Sequence, residues 1–228
     1  MAERITARIL AIESSGNACA AALADGEELV AEFVYQTSHV HDRLLAVSVQ
    51  RLLQDHELEA ADIDCVAVSS GPGSFTGLRI GAALAKSLCF GGSPVLTAVP
   101  TCEALALRAV AVAQALGKKQ IHVLIDSHGE LLYRQTFTAD AAPLAEVELL
   151  MRNEVAATRD DSILFCGPAL PAADLANLPA FDDLNTLSAA AIARLGARRF
   201  HSGLTVDPQT FVPLYAQEFV PKLSKKSL

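Results

Sequence analysis

No apolar run in this 228-residue chain reaches the roughly 18–20 residues that a membrane-spanning helix needs. Met1-Ala2-Glu3-Arg4-Ile5 leads into a strand-like segment instead of the apolar stretch of a signal peptide. A cytoplasmic protein with no membrane partner is expected. Cys-x-x-Cys pairs are missing too. The five cysteines, Cys19, Cys65, Cys89, Cys102 and Cys166, are odd in number, scattered and mostly set among apolar neighbours. That fits buried thiols in a reducing compartment and implies neither a disulfide nor a zinc site. Positive charge is scarce, with 18 Lys and Arg against 26 Asp and Glu and a formal net charge of −8. Nucleic-acid binding draws on Lys and Arg to neutralise phosphates, so unaided capture of RNA is disfavoured. The basic groups at Lys118-Lys119, Arg198-Arg199 and 222–226 read as solvated clusters or tail. No Gly-x-x-x-x-Gly-Lys loop is present, which removes P-loop nucleotide chemistry. Gly73-Ser74-Phe75-Thr76-Gly77 comes near the serine hydrolase elbow, but Ser74 sits one position away from the midpoint that the elbow requires.

What remains is 51% apolar, enough for a substantial core in one large domain or two lobes. The most distinctive stretch is Ser70-Gly71-Pro72-Gly73-Ser74-Phe75-Thr76-Gly77-Leu78-Arg79-Ile80-Gly81. It joins the apolar strand Cys65-Val66-Ala67-Val68 to a glycine-spaced apolar helix through a tight turn, with Ser74 or Thr76 placed to cap the helix. The same segment reads equally as an anion cradle or as a turn whose glycines allow backbones to pack closely. Ile9-Leu10-Ala11-Ile12-Glu13-Ser14-Ser15-Gly16 runs strand, acid, small polar residues, glycine. Val123-Leu124-Ile125-Asp126-Ser127-His128-Gly129 repeats that shape, and Ile163-Leu164-Phe165-Cys166-Gly167-Pro168-Ala169 echoes the strand and turn at 66–73. The order of the two echoes is preserved, which points to duplication. The first copy predicts strands at 5–12, 17–24 and 27–36, a helix at 39–56, a strand at 64–69, a helix at 75–90, a strand at 94–99 and a helix at 101–116. The second copy has too little chain for a long helix besides its strands, and a helix at 186–201 closes it. Lobes are expected at 1–116 and 117–228. Duplicated α/β lobes in this order resemble the actin-like ATPase, sugar kinase and Hsp70 superfold, here with a shortened second lobe.

Ile12-Glu13-Ser14-Ser15, the run Gly71 to Gly81, Val99-Pro100-Thr101-Cys102-Glu103-Ala104-Leu105-Ala106 and Pro213-Leu214-Tyr215 are together similar, in order and spacing, to the TsaB (YeaZ) family. The similarity covers residues 5–220. Glu13 stands where the family more often has Asp, and Tyr215-Ala216-Gln217 replaces a Tyr-Leu-Arg type of ending. The resemblance implies a non-catalytic paralogue of the transferase TsaD. Its implied role is dimerisation and activation in the modification that places threonylcarbamoyl on the tRNA adenosine beside the anticodon. TsaD and the ATPase TsaE are the implied partners, with a homodimer when alone and tRNA met only through the complex. No cofactor is implied for the chain itself, and ATP or ADP belongs to the assembly. Catalytic relatives carry His-x-x-x-His on the helix after the fifth strand, where two imidazoles on one face hold a metal. Those positions are Thr101 and Leu105 here, and leucine cannot ligate. The rival readings are a metal-dependent glycoprotease-like hydrolase and an ATP-dependent transferase or kinase of the same superfold.

Other candidate sites are weaker. His39, His41 and Asp42 resemble a metal set, but residues two apart on a helix diverge, so a surface or interface role is expected. His128 reads as a turn residue. Glu13, Ser14 and Asp126 occupy the turns where active members of the superfold hold magnesium on nucleotide phosphates. Both turns lack the fuller glycine pattern, so structural retention is expected. Gly77, Gly81 and Ala85 recur every fourth residue and form a smooth stripe suited to close backbone approach. The stripe serves internal packing as well as an intersubunit contact; the resemblance favours a helical bundle shared by homodimer and heterodimer. That bundle would be built from His39, Leu44, Leu45, Phe75, Gly77, Leu78, Gly81 and Ala85.

Overall fold

The computed structural model describes residues 6–37, 41–156, 160–171, 175 and 181–214. Two sheets lie in it. The first, in spatial order β3-β2-β1-β4-β5, uses β1 (Arg8–Glu13), β2 (Cys19–Asp25), β3 (Glu28–Tyr35), β4 (Cys65–Ser69) and β5 (Val95–Val99). The second, in order β8-β7-β6-β9, uses β6 (Gln120–Asp126), β7 (Leu131–Thr138), β8 (Glu148–Met151) and β9 (Ile163–Cys166). Central strands β1 and β6 each pair antiparallel with the next strand and parallel with β4 or β9. The orders 3-2-1-4 and 8-7-6-9 superimpose as one pattern used twice. This is the two-lobed actin-like α/β fold, and among the described residues β5 has no counterpart in the second sheet.

Alternation on the central strands decides what each face holds. Leu10, Ile12, Val66 and Val68 face α1 (His41–Asp55) and α2 (Phe75–Leu88). Ile9, Ala11, Cys65 and Ala67 face α5 (Ala189–His201). That second face is rich in alanine, and Gly196 of α5 lies against the Ala67 methyl, so α5 packs unusually close. Although α5 comes late in the chain it covers the first sheet, whereas α3 (Thr101–Ala115) covers the second through Leu105, Ala106, Ala109 and Ala113. The two helices are tied by Arg199 to Glu103 at 2.8 Å. Arg108 of α3 also donates to the Thr186 and Asp183 carbonyls just before α5. Division of the strands between lobes is therefore not a division of the packing. Among the described residues the outer face of the second sheet is covered by the five-residue α4 (Arg152–Ala156) and by Ala169, Leu170 and Leu175. All five cysteines are buried free thiols, and burial pushes Cys65 up to about 11.

Candidate functional site

The glycine-rich turn is built to bring α2 down onto the end of β1. Gly71 and Gly73 have φ of +98° and +156°, in the region L side chains avoid. A Cβ at Gly73 would meet the Ser15 carbonyl, one at Gly77 the Ser14 carbonyl, and one at Gly81 the Ser14 hydroxyl. Ser74 caps α2 through Gly77 N–H at 3.2 Å, and its own N–H donates to the Ser15 carbonyl at 2.6 Å. On the other side Thr101 N–H donates to the Gly71 carbonyl at 2.9 Å, and Leu214 N–H to the Ser70 carbonyl at 2.7 Å. The turn is held by the end of β1, the start of α3 and Leu214.

Glu13 is sealed beneath it. Its Oε1 accepts from the Ser15 N–H and the Ser15 hydroxyl, each at 2.6 Å, while Ser14 N–H donates to Ser69 Oγ at 3.2 Å. Among the described residues Oε2 has no hydrogen-bond partner, and neither has Ser14 Oγ. Burial raises the Glu13 carboxyl above its ordinary range, against the opposing pull of the Ser15, Ser69 and Ser14 hydrogen bonds. An anion cradle needs free backbone N–H groups, and here the Ser74 N–H is taken by Ser15 and the Gly77 N–H by Ser74. Gly73, Gly77 and Gly81 serve close packing against the end of β1. Asp126 differs: its carboxylate is half exposed and pairs with Arg152. His128 is exposed on the β6–β7 turn.

On α3, Thr101 is fully buried at the first turn and Leu105 is 1% exposed, packed with Ile121, Val123 and Leu164 of the second sheet. The two positions are occupied by core packing. Among the described residues no group of three or more His, Cys, Asp and Glu is gathered to hold a metal ion, and no helix is long and apolar enough to cross a membrane.

The glycine stripe requires a correction. Gly77 and Gly81 face Ser14 inside the same chain, Leu78 is 1% exposed, and Leu45 and Ala85 are fully buried between helix and sheet. These five therefore cannot offer a surface to a second subunit; the spacing that seemed to invite a foreign backbone is filled by the chain's own β1 end. His39 lies outside the described residues, as do the side chains of His41 and Asp42. Phe75 is 51% exposed and Leu44 half-buried, so these two remain on an outward face. That face also carries exposed Val47, Arg43, Arg51 and Arg79. Arg43 and Arg51 escaped sequence reasoning, although their spacing of four on either side of Val47 marks one row of α1.

A family model described as TsaD: tRNA N6-adenosine threonylcarbamoyltransferase matches residues 32–144. The chain is 35% identical over 98 residues to the tRNA threonylcarbamoyladenosine biosynthesis protein TsaB of Bacillus subtilis, covering 43% of each chain. It is 35% identical over 99 residues to the protein of the same name from Escherichia coli, covering 43% of this chain and 42% of that one. In both cases the match spans less than half of the relative's length. The solved structure of YeaZ from Pseudomonas aeruginosa superimposes with a TM-score of 0.75 at 22% identity, covering 91% of this chain and all of that one. The family-model match contains both the glycine-rich turn and α3, the backbone likeness extends over both sheets, and over these segments the chain is similar to the TsaB (YeaZ) family.

Proposed function

We propose that the chain is a cytoplasmic, non-catalytic subunit that binds and activates TsaD in the biosynthesis of threonylcarbamoyladenosine in tRNA, with TsaE joining the complex. The observation that carries this reading is on α3. Thr101 and Leu105, at the positions of the metal pair in catalytic relatives, are built into the core between helix and second sheet. Side chains so placed serve the fold, and chemistry falls to the partner. The buried Glu13 turn supports the same reading, because a carboxyl held by Ser15 is not presented to a magnesium-bound phosphate. ATP or ADP is then handled by the complex. With a net charge of −8 the chain reaches tRNA through its partners.

A subunit of this kind works by differential affinity. It raises turnover to the extent that it binds the active arrangement of TsaD more tightly than the inactive one, and it needs no reacting groups of its own. The exposed α1–α2 face is the surface offered, and self-association of the isolated chain is its weaker use. The test is reconstitution. TsaD, TsaE, ATP, the threonylcarbamoyl precursors and tRNA should modify tRNA when this chain is present and lose most of that activity when it is omitted. Full activity of TsaD and TsaE without it, or tRNA modification by the chain alone, would overturn the assignment.

A further inference from the structure

The chain is acidic, yet the outward face of α1 and α2 is not. Arg43, Val47 and Arg51 follow at four-residue intervals on α1, and Phe75, Arg79 and Ala83 do so on α2; all six are exposed. Both helices cover the same face of the first sheet and touch each other, so the two rows stand side by side. Helix α2 carries Arg79 and Lys86 and no carboxylate, while α1 carries Arg43 and Arg51 with acids only near its ends, Asp42 and Asp55.

Elsewhere five arginines meet carboxylates of the chain itself, Arg8 with Asp25, Arg134 with Glu148, Arg152 with Asp126, Arg198 with Glu27 and Arg199 with Glu103, while Arg108 donates to the Thr186 and Asp183 carbonyls. Among the described residues no carboxylate forms an ion pair with Arg43, Arg51 or Arg79. Arg51 instead rests over the Phe33 ring at 5.9 Å and Arg79 over Phe75 at 5.3 Å. Stacking of this kind positions a guanidinium without using its N–H donors.

We infer that the α1–α2 face recognises a protein partner whose facing surface carries carboxylates opposite Arg43, Arg51 and Arg79, in preference to a second copy of this chain. The inference rests on the proposal that this face meets TsaD, and it specifies the chemistry of that meeting. Two copies joined through the face about a two-fold axis would bring the same arginines together, and opposed like charges select against such a pair. A carboxylate-bearing partner gains bidentate pairs instead. Exposed Val47 and Phe75, with half-buried Leu44, Ile80 and Leu84 on the same two helices, supply apolar surface that suits a protein better than a phosphate backbone.

The experiment is sedimentation of the whole chain with TsaD from the same cell at 50 and 500 mM salt. It compares the wild type, the triple reversal Arg43→Glu/Arg51→Glu/Arg79→Glu and the truncation Val47→Ala/Phe75→Ala. All five positions are exposed, so circular dichroism should show folded variants. The heterocomplex is expected to weaken about tenfold or more across the salt range and about a hundredfold in the reversal. Self-association should tighten with salt, and the reversed chain mixed with wild type should pair more tightly than either does with itself. If the complex resists salt and reversal but is lost on truncation, the face is right and the acidic partner is wrong. If it resists all three, the docking face itself falls. If reversal abolishes binding of a tRNA probe and leaves the heterocomplex unchanged, the arginines serve RNA and the inference is overturned.

Discussion

Glu13, ending β1, is 1% exposed, whereas Asp126, ending β6 at the equivalent place in the second sheet, leaves half of its carboxylate side chain in water and pairs with Arg152. Strand, acid, polar residues and glycine are the same in both. The difference lies in the segments after β4 and β9. After β4 the chain makes α2, whose Gly77 and Gly81 settle on Ser14 and seal the turn. Among the described residues no such helix follows β9, and a Cβ at Gly129 beside Asp126 would meet nothing within 4 Å. A duplicated motif has thus become a packing joint in one lobe and a solvated turn in the other. What the fold can do with an acid depends on the element laid over it.

The largest break of this comparison comes from adding a methyl group to each turn. Gly77→Ala drives Cβ into the Ser14 carbonyl, a backbone group with little room to give, and is expected to cost about 3 kcal/mol or more. Gly129→Ala has open space and only a left-handed φ of +62° to maintain, expected at about 1 kcal/mol. Urea unfolding of the two variants checks the ordering, and equal losses would show that the first turn is not a packing joint. By the same geometry Gly81→Arg is expected to unfold the chain, so a loss of self-association in that variant would not report on subunit contacts.

Much of this was legible in the sequence. β1, β4 and β5 are short apolar runs with turn residues at their ends, and the glycine-rich run located α2 and its Ser74 cap. β8 was not legible, because Glu148–Met151 is a four-residue edge strand with alternate residues exposed and no apolar run to mark it. The sequence pattern puts the start of α5 three residues early. Its first turn is held by a carboxylate from another strand, Glu32 Oε1, which accepts from Ser188 Oγ at 3.0 Å and Ala190 N–H at 3.1 Å. The glycine stripe gave the close approach correctly and the wrong neighbour, since four-residue spacing shows that something comes near without showing what. Ser14 lies more than sixty residues away in sequence, and only the fold brings it there.

A middle-sized effect sharpens the comparison through pH. Burial raises Glu13 in the first lobe, so its folded form binds a proton that the unfolded form releases near 4.5. That contribution is fully present below 4.5 and is lost as pH rises through the folded value. In the second lobe His122 is 6% exposed, and burial foremost, with the Arg134 charge adding, lowers it from 6.5 to about 4. The folded form then binds fewer protons than the unfolded one between 4 and 6.5, so its contribution is present above 6.5 and lost as pH falls, by at most about 3 kcal/mol. Glu13→Gln should remove the fall in stability as pH rises above 4.5, and His122→Leu should remove the fall as pH drops below 6.5. Thermal melts from pH 4 to 8 check both, and a common sign for the two variants would refute the contrast.

The smallest effect is expected at Asp126. Its carboxylate is half exposed and its partner Arg152 is mostly covered, so removing the charge weakens a pair screened by water from one side. Asp126→Asn should lower stability by less than about 1 kcal/mol, well below Gly77→Ala. In the reconstituted reaction it should leave tRNA modification within about twofold of wild type, because the half-exposed turn is assigned no nucleotide to hold. The same reaction with the triple arginine reversal on α1 and α2 should lose most of its activity while the protein stays folded. Measured side by side, the two variants separate the turn that duplication left behind from the helical face that the proposed partner needs. A large loss of modification in Asp126→Asn, with stability intact, would place chemistry in the second lobe after all.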